Sequence, residues 1–89
     1  MTSLEIIHLR SSGRPLESLG ERIRESVHSG GGEEAVVTLY RCQGLETDLA
    51  VHVRHDGELL TGPSNLGLKL AAALRDYGLV EHKLWEELP

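Results

Sequence analysis

Two stretches of helical spacing, each held between runs of β-forming residues, set the tightest limit on what this chain can fold into. Leu16, Leu19, Ile23 and Val27 recur three and four residues apart, which predicts an amphipathic helix over residues 15–28. Pro15 suits its first turn, where a missing N–H costs nothing. Glu17 and Glu21 lie near its positive end, and Gly30-Gly31-Gly32 stops it. In the second stretch Leu66, Leu70, Ala73, Leu74 and Tyr77 share one face. Gly62-Pro63-Ser64-Asn65 leads into it, and Gly78 stands where a C-terminal glycine belongs. Residues 4–10, 34–42, 48–55 and 79–88 read as strands. The second and third are joined by Gln43-Gly44-Leu45-Glu46-Thr47, a hairpin connection in which Gly44 would admit a bulge, and Asp56-Gly57 marks a turn.

The order β-α-β-β-α-β within 89 residues predicts a single α+β domain over 1–89 of the ferredoxin-like, split βαβ type. Right-handed crossovers would put both helices on one face of a four-stranded antiparallel sheet. The expected sheet order is 4-1-3-2, with strands one and three central. A chain this short buries roughly 60–65% of its unfolded surface, so association would add useful burial. Its aromatic residues are Tyr40, Tyr77 and Trp85, with no Phe, so the core must be aliphatic.

Charge narrows the partners. Fourteen acids against nine bases give a net charge of −5, the wrong sign for a phosphate-backbone binder. RNA binding is further disfavoured because strands one and three carry no aromatic residue for base stacking. The single cysteine, Cys42, cannot form an internal disulfide, which fits a reducing compartment. No signal peptide or membrane span is recognisable, and a cytoplasmic location with no membrane partner is the expectation. The triple glycine is not followed by Gly-Lys-Ser/Thr, so it does not read as a phosphate loop. No cofactor is expected.

Strand alternation separates the two faces of the sheet. Leu49, Val51 and Val53 form an aliphatic set that should meet the helices, leaving Ala50, His52 and Arg54 on the open face. With Ile7 and Leu9 inward, Ile6, His8 and Arg10 also face outward. Val37 and Leu39 inward would leave Thr38 and Tyr40 outside. The parity of strand four is open; Leu84 inward would add Trp85 to the open face. Ile6, His8, Tyr40, His52 and Trp85 together do not make a plain solvated surface. They suit a dimer interface or the lining of a cavity, and His8 and His52 as cross-strand neighbours would have Cβ atoms roughly 5 Å apart.

The closing stretch Ala73-Leu74-Arg75-Asp76-Tyr77-Gly78-Leu79-Val80-Glu81-His82-Lys83-Leu84-Trp85, with the element order and size, resembles small antibiotic-biosynthesis-monooxygenase-like members of the dimeric α+β barrel superfamily. The resemblance spans the whole chain at the level of topology. It implies a homodimer that packs open sheet faces together, with a small apolar ligand or substrate between them. It assigns no catalytic residue here.

His8 and His52 are the candidate bases, because imidazole titrates near physiological pH. The residues favour a hydrogen-bonded pair packed at a subunit interface over ligand contact or catalysis. A metal site is not expected, since no third ligand stands at a definable spacing. His52-x-x-His55 does not suit a metal either, because on a strand its two rings point to opposite faces. His82 would join His52 only with strand four's parity reversed, and His28 reads as a surface residue at a helix end. Cys42 reads as a passive thiol. Thr61, Ser64 and Asn65 suit helix capping more than anion binding, and Arg10 and Arg54 suit solvated or interface charges.

The functional expectation is a homodimer binding a small organic molecule between sheet and partner, with Tyr40, His52, His8 and Trp85 as ligand contacts. A cofactor-independent monooxygenase or isomerase using His8 or His52 as base is the enzyme alternative. A regulatory or purely structural dimerisation domain is the other.

Overall fold

The computed structural model has the element order β1 (Thr2–Ser11), α1 (Leu19–Ser29), β2 (Ala35–Arg41), β3 (Asp48–Asp56), α2 (Asn65–Arg75) and β4 (Gly78–Glu86). The structure describes residues 2–12, 19–29, 35–45, 47–57 and 59–89, apart from the side chains of residues 26, 28 and 29. Pro15, Leu16, Glu17, the triple glycine and the His28 side chain lie outside the described residues.

The four strands form one antiparallel sheet in the order β2-β3-β1-β4, which is the expected ferredoxin-like arrangement. Along β1 the odd-numbered residues from Ser3 to Leu9 are buried and the even-numbered ones from Leu4 to His8 only half-buried. The buried set faces the helices. Ile7, Leu9, Val51 and Val53 meet Leu19 and Ile23 of α1 and Leu66, Leu70, Ala71 and Leu74 of α2. Each such large side chain removed from water contributes roughly 1.5–3 kcal/mol, and together they make the aliphatic core that the composition required. Tyr77 is buried with them.

Some limits differ from the sequence expectation, for physical reasons. β4 stops at Glu86, which pairs with Ser3, and beyond it the Glu87 N–H donates to the Thr2 carbonyl at 2.8 Å. Gly78 begins β4 opposite Ser11, while α2 closes at Asp76. The inward stripe of α2 runs through Gly67 and Ala71, and Ala73 is only half-buried. In the β2–β3 connection Gly44 takes φ 82°, a left-handed conformation in which a side chain would be strained. Arg22 of α1 reaches Asp76 at 2.7 Å across the helix layer. Among the described residues, no helix is long and apolar enough to cross a membrane.

Candidate functional site

The registers place the open-face residues in four rows across the sheet. Val36, Arg54, Leu4 and Trp85 make the first, and Thr38, His52, Ile6 and Lys83 the second. Tyr40, Ala50, His8 and Glu81 make the third, and Asp48, Arg10 and Leu79 the fourth. All five residues expected on this face are on it, Trp85 included, because Leu84 has inward parity.

The rows also correct the expected pairing. His8 faces Ala50 and His52 faces Ile6, so the two histidines are diagonal rather than opposite, roughly 7–8 Å apart by sheet geometry. Each has its own partner. His8 Nε2 lies 2.8 Å from Asp48 Oδ2, joining the third row to the fourth. The His8 side chain is 35% exposed and that of Asp48 only 9%. An ionised carboxylate can only accept, so Nε2 is the donor of this pair, and a neutral ring held this way presents the Nδ1 lone pair. His52 instead lies against the Tyr40 ring, centroid to centroid 4.5 Å and tilted by 51°. An imidazole steered by a carboxylate can hold a polar ligand group or take a proton from it. An imidazole packed at a tilt against a phenol ring contributes shape.

Trp85 does not share a pocket with these groups. Two rows, or four residues of strand, separate it from His8, roughly 13 Å. It lines an open cleft of about 490 Å³ at the end of the face, with Thr2, Leu4, Arg54, Asp56, Glu86 and Glu87. Tyr40 also borders a hollow of about 300 Å³ beneath α1, with Leu19, Ile23, Leu39 and Leu49.

A heavily bonded polar group lies on the other face, and sequence reasoning did not assemble it. Glu5 has no exposure at all, yet its carboxylate accepts from four donors. His55 Nε2 of β3 lies 2.7 Å from Oε2, and His82 Nε2 of β4 lies 3.0 Å from Oε1. Ser64 donates its N–H to Oε1 at 2.9 Å and its hydroxyl to Oε2 at 2.5 Å. That same hydroxyl accepts the Gly67 N–H at 2.9 Å, so Ser64 is the N-cap of α2. The sequence suggested capping at Ser64, with anion binding as the alternative. Here the helix N-terminus meets an anion from its own chain, as the helix dipole favours. Burial is the largest single influence on the Glu5 carboxyl and pushes its pKa up. The hydrogen bonds from Ser64, His55 and His82 together outweigh it and hold the carboxyl below its ordinary range.

This cluster ties three strands to one helix, and its donors are consumed within it. Among the described residues, no buried side-chain nitrogen or oxygen lacks a partner. Nor does any group of three His, Cys, Asp or Glu among them have an arrangement that could hold a metal ion. His52 and His55 do point to opposite faces, and His82 faces inward, away from His52. Of the other candidates, Cys42 is an exposed free thiol, and Arg54 Nε lies 3.3 Å from Asp56.

No protein-family model matches the chain, and no curated protein sequence matches it. Among solved structures, the chain resembles "Structure of Rv0793 from Mycobacterium tuberculosis", with a TM-score of 0.69 and 12% sequence identity. The match covers 100% of this chain and 97% of that one. At this identity the likeness shows the fold alone.

Proposed function

We propose that the chain acts as a homodimer whose open sheet faces enclose a small organic ligand, with the His8–Asp48 pair as its polar anchor. The observation that carries this reading is a half-exposed imidazole, oriented by a nearly buried carboxylate, on an otherwise apolar patch. Ile6 and Ala50 flank His8 half-buried, while Tyr40 and Leu79, in its row and the next, are left 50% and 75% exposed. An apolar face of this kind, rimmed by charge, is a common mark of association or ligand binding. The overall likeness of topology to a dimeric α+β barrel supports the same reading.

Sedimentation velocity tests it. At tens of micromolar the protein should sediment at twice its 9.8 kDa chain mass. Ile6→Asp, which puts a charge in the middle of the face, should weaken association by about tenfold or more, since an unpaired charge in an interface is costly. A wild-type monomer at that concentration would remove the dimer.

The His8–Asp48 geometry also favours a second reading, in which the dimer is a cofactor-independent oxygenase or isomerase. His8 Nδ1 would then act as base while Asp48 holds the ring. Loss of turnover in both His8→Ala and Asp48→Asn, with ligand affinity retained in Asp48→Asn, would distinguish catalysis from anchoring.

A further inference from the structure

We infer that the free edge of β2 takes up an extended, acidic segment of a partner protein as an added strand, with alternate side chains of that segment seated beneath α1. The site lies on the helix side of the sheet and does not rest on the open-face reading.

The register defines the edge. The Ser11 N–H bonds the Thr47 carbonyl at 2.8 Å, in step with the β1–β3 pairing, which assigns the odd-numbered residues of β3 to β1. Bonded pairs alternate in an antiparallel ladder, so the even-numbered residues of β3 bond β2. The Cys42 N–H bonding the Asp48 carbonyl agrees with this. Val36, Thr38 and Tyr40 therefore turn their N–H and C=O groups toward β3, and Val37, Leu39 and Arg41 turn theirs away from the sheet. From Ala35 to Tyr40 the strand has no charge, proline or glycine of the kind that guards an edge.

The same odd-numbered residues direct their side chains toward the helices, yet α1 leaves them uncovered. Leu39 has inward parity and is still 38% exposed. Between α1 and β2 lie two hollows of about 210 and 300 Å³ that share Ile23 and Leu39, which makes them one trough. Its helical wall is the stripe Gly20, Ile23, Arg24 and Val27, one face of α1. A strand added outside β2 would stand about 4.8 Å from it, and its alternate side chains would drop into this trough.

Charge and symmetry select the occupant. The charged residues lining the trough are Arg24, at the Val37 end, and Arg41, at the Leu49 end. Although the chain carries a net charge of −5, none of its described carboxylates lines the trough. Among the described residues neither guanidinium has an ion-pair partner. A second copy of β2, added antiparallel, would bring its own Arg41 to the end that holds Arg24. The two-fold axis would repeat that like-charge pair at the other end, so self-pairing is opposed. A segment with an apolar residue over Ile23 and Leu39, and a carboxylate two positions to either side, meets both guanidiniums instead. The pattern is acid-x-apolar-x-acid, the same in either chain direction. It spans roughly 13 Å, the length of strand from Val37 to Arg41.

A ¹H–¹⁵N titration of the intact chain tests this with three capped peptides. They are Thr-Glu-Thr-Leu-Thr-Glu-Thr, its analogue with Lys for Glu, and the acidic peptide N-methylated at Leu and its two neighbours. The acidic peptide should move the Val37, Leu39 and Arg41 amide protons downfield as new hydrogen bonds form. It should saturate at a concentration about tenfold below that of the Lys analogue. N-methylation should abolish the shifts. Arg24→Gln/Arg41→Gln should reduce the acidic preference to about threefold or less. Gly20→Leu should weaken the acidic peptide by about tenfold and leave the rest of the spectrum in place. A Cβ at Gly20 meets nothing within 4 Å, so the new side chain occupies the trough rather than the core. Equal binding of the Lys or N-methylated peptide, an undiminished preference in the arginine variant, or unweakened binding to Gly20→Leu overturns the strand site. Absence of β2 shifts at millimolar peptide overturns it too. Decanoate moving Ile23 and Leu39 where the acidic peptide does not would give the trough to an amphiphile, and Val37 and Leu39 shifts on raising the chain concentration alone would give the edge to a second copy. Shifts confined to His8, Ala50 and His52 would overturn the β2 site while leaving a ligand on the open face standing.

Discussion

Replacing Glu5 by alanine should lower the unfolding free energy by about 3–5 kcal/mol, the cost of taking one partner out of a buried ionic cluster. The substitution strands donors from three elements in the core: Nε2–H of His55 and His82, and the N–H and hydroxyl of Ser64. A domain of this size has about 5–15 kcal/mol in total, so the variant would approach its unfolding midpoint. Glu5→Gln separates charge from shape. The amide keeps the volume, but its NH₂ must face either Ser64 Oγ and His55 or Ser64 N and His82, all of which donate. A smaller loss of about 1–3 kcal/mol is expected for it. Urea unfolding followed by circular dichroism, at one protein concentration because of the proposed dimer, measures both. A loss below about 1 kcal/mol for the alanine variant would mean that the cluster is nearly neutral to stability.

The same carboxyl sets a direction for pH. Its pKa in the folded chain is held below the ordinary value, so folding favours the ionised form. The stabilisation is therefore complete above the ordinary carboxylate range and is lost as pH falls through the depressed folded value. His55 faces it from β3, His82 from β4 and Ser64 from the start of α2. Wild-type stability should fall on acidification, and Glu5→Gln should show a shallower acid limb. Parallel limbs would assign the dependence to other carboxylates.

How far the sequence reaches is clear from particular residues. The element order followed from a period that switches between two and about 3.6, and that pattern is local. The face of a strand residue was also legible wherever one residue of the strand could be anchored, because parity needs no more. Ile7 and Val51 supplied those anchors in strands one and three; strand two was less decisive, and the parity of strand four stayed open until the register set Leu84 opposite Glu5. What parity cannot give is the row. Rows depend on how two strands slide past each other, a property of turns and packing between residues some 40 apart in sequence. The sequence therefore put His8 and His52 on one face, and Trp85 with them if Leu84 faced inward, without showing that His8 faces Ala50, takes Asp48 as its partner and stands two rows from Trp85.

The Glu5 cluster was hidden for a related reason. Glu5 shares its parity with Ile7 and Leu9, so its inward direction was available, as was that of His55 with Val53, and that of His82 with Val80 once Leu84 is taken as inward. Three inward polar residues of complementary chemistry on three strands were a usable signal. Their convergence needed the register of two strand pairs and the docking of Ser64, none of which is written in local spacing.

Gly67→Ala should destabilise the protein by about 1–3 kcal/mol, against the usual direction for this substitution in a helix. In an unhindered helix interior, alanine is better than glycine by about 1 kcal/mol. Gly67 lies three residues into α2 from its cap, and a Cβ built there would stand 2.1 Å from Glu5 Oε1 and 2.7 Å from Glu5 Cδ. A long side chain would normally swing aside. This one is fully buried and held by Ser64, His55 and His82, so moving it breaks hydrogen bonds that have no replacement in the core. The residue is glycine because the helix must approach the carboxylate closely enough for its cap to bond it. A double-mutant cycle makes that claim specific. With Glu5→Ala already present, the obstacle is gone and a cavity lies beside the helix, so Gly67→Ala should become neutral or stabilising by up to about 1 kcal/mol. The reversal of sign between the two backgrounds is the expected result, read from four urea-unfolding curves. Equal losses in both would place the penalty in the backbone of α2 and detach Gly67 from the Glu5 cluster.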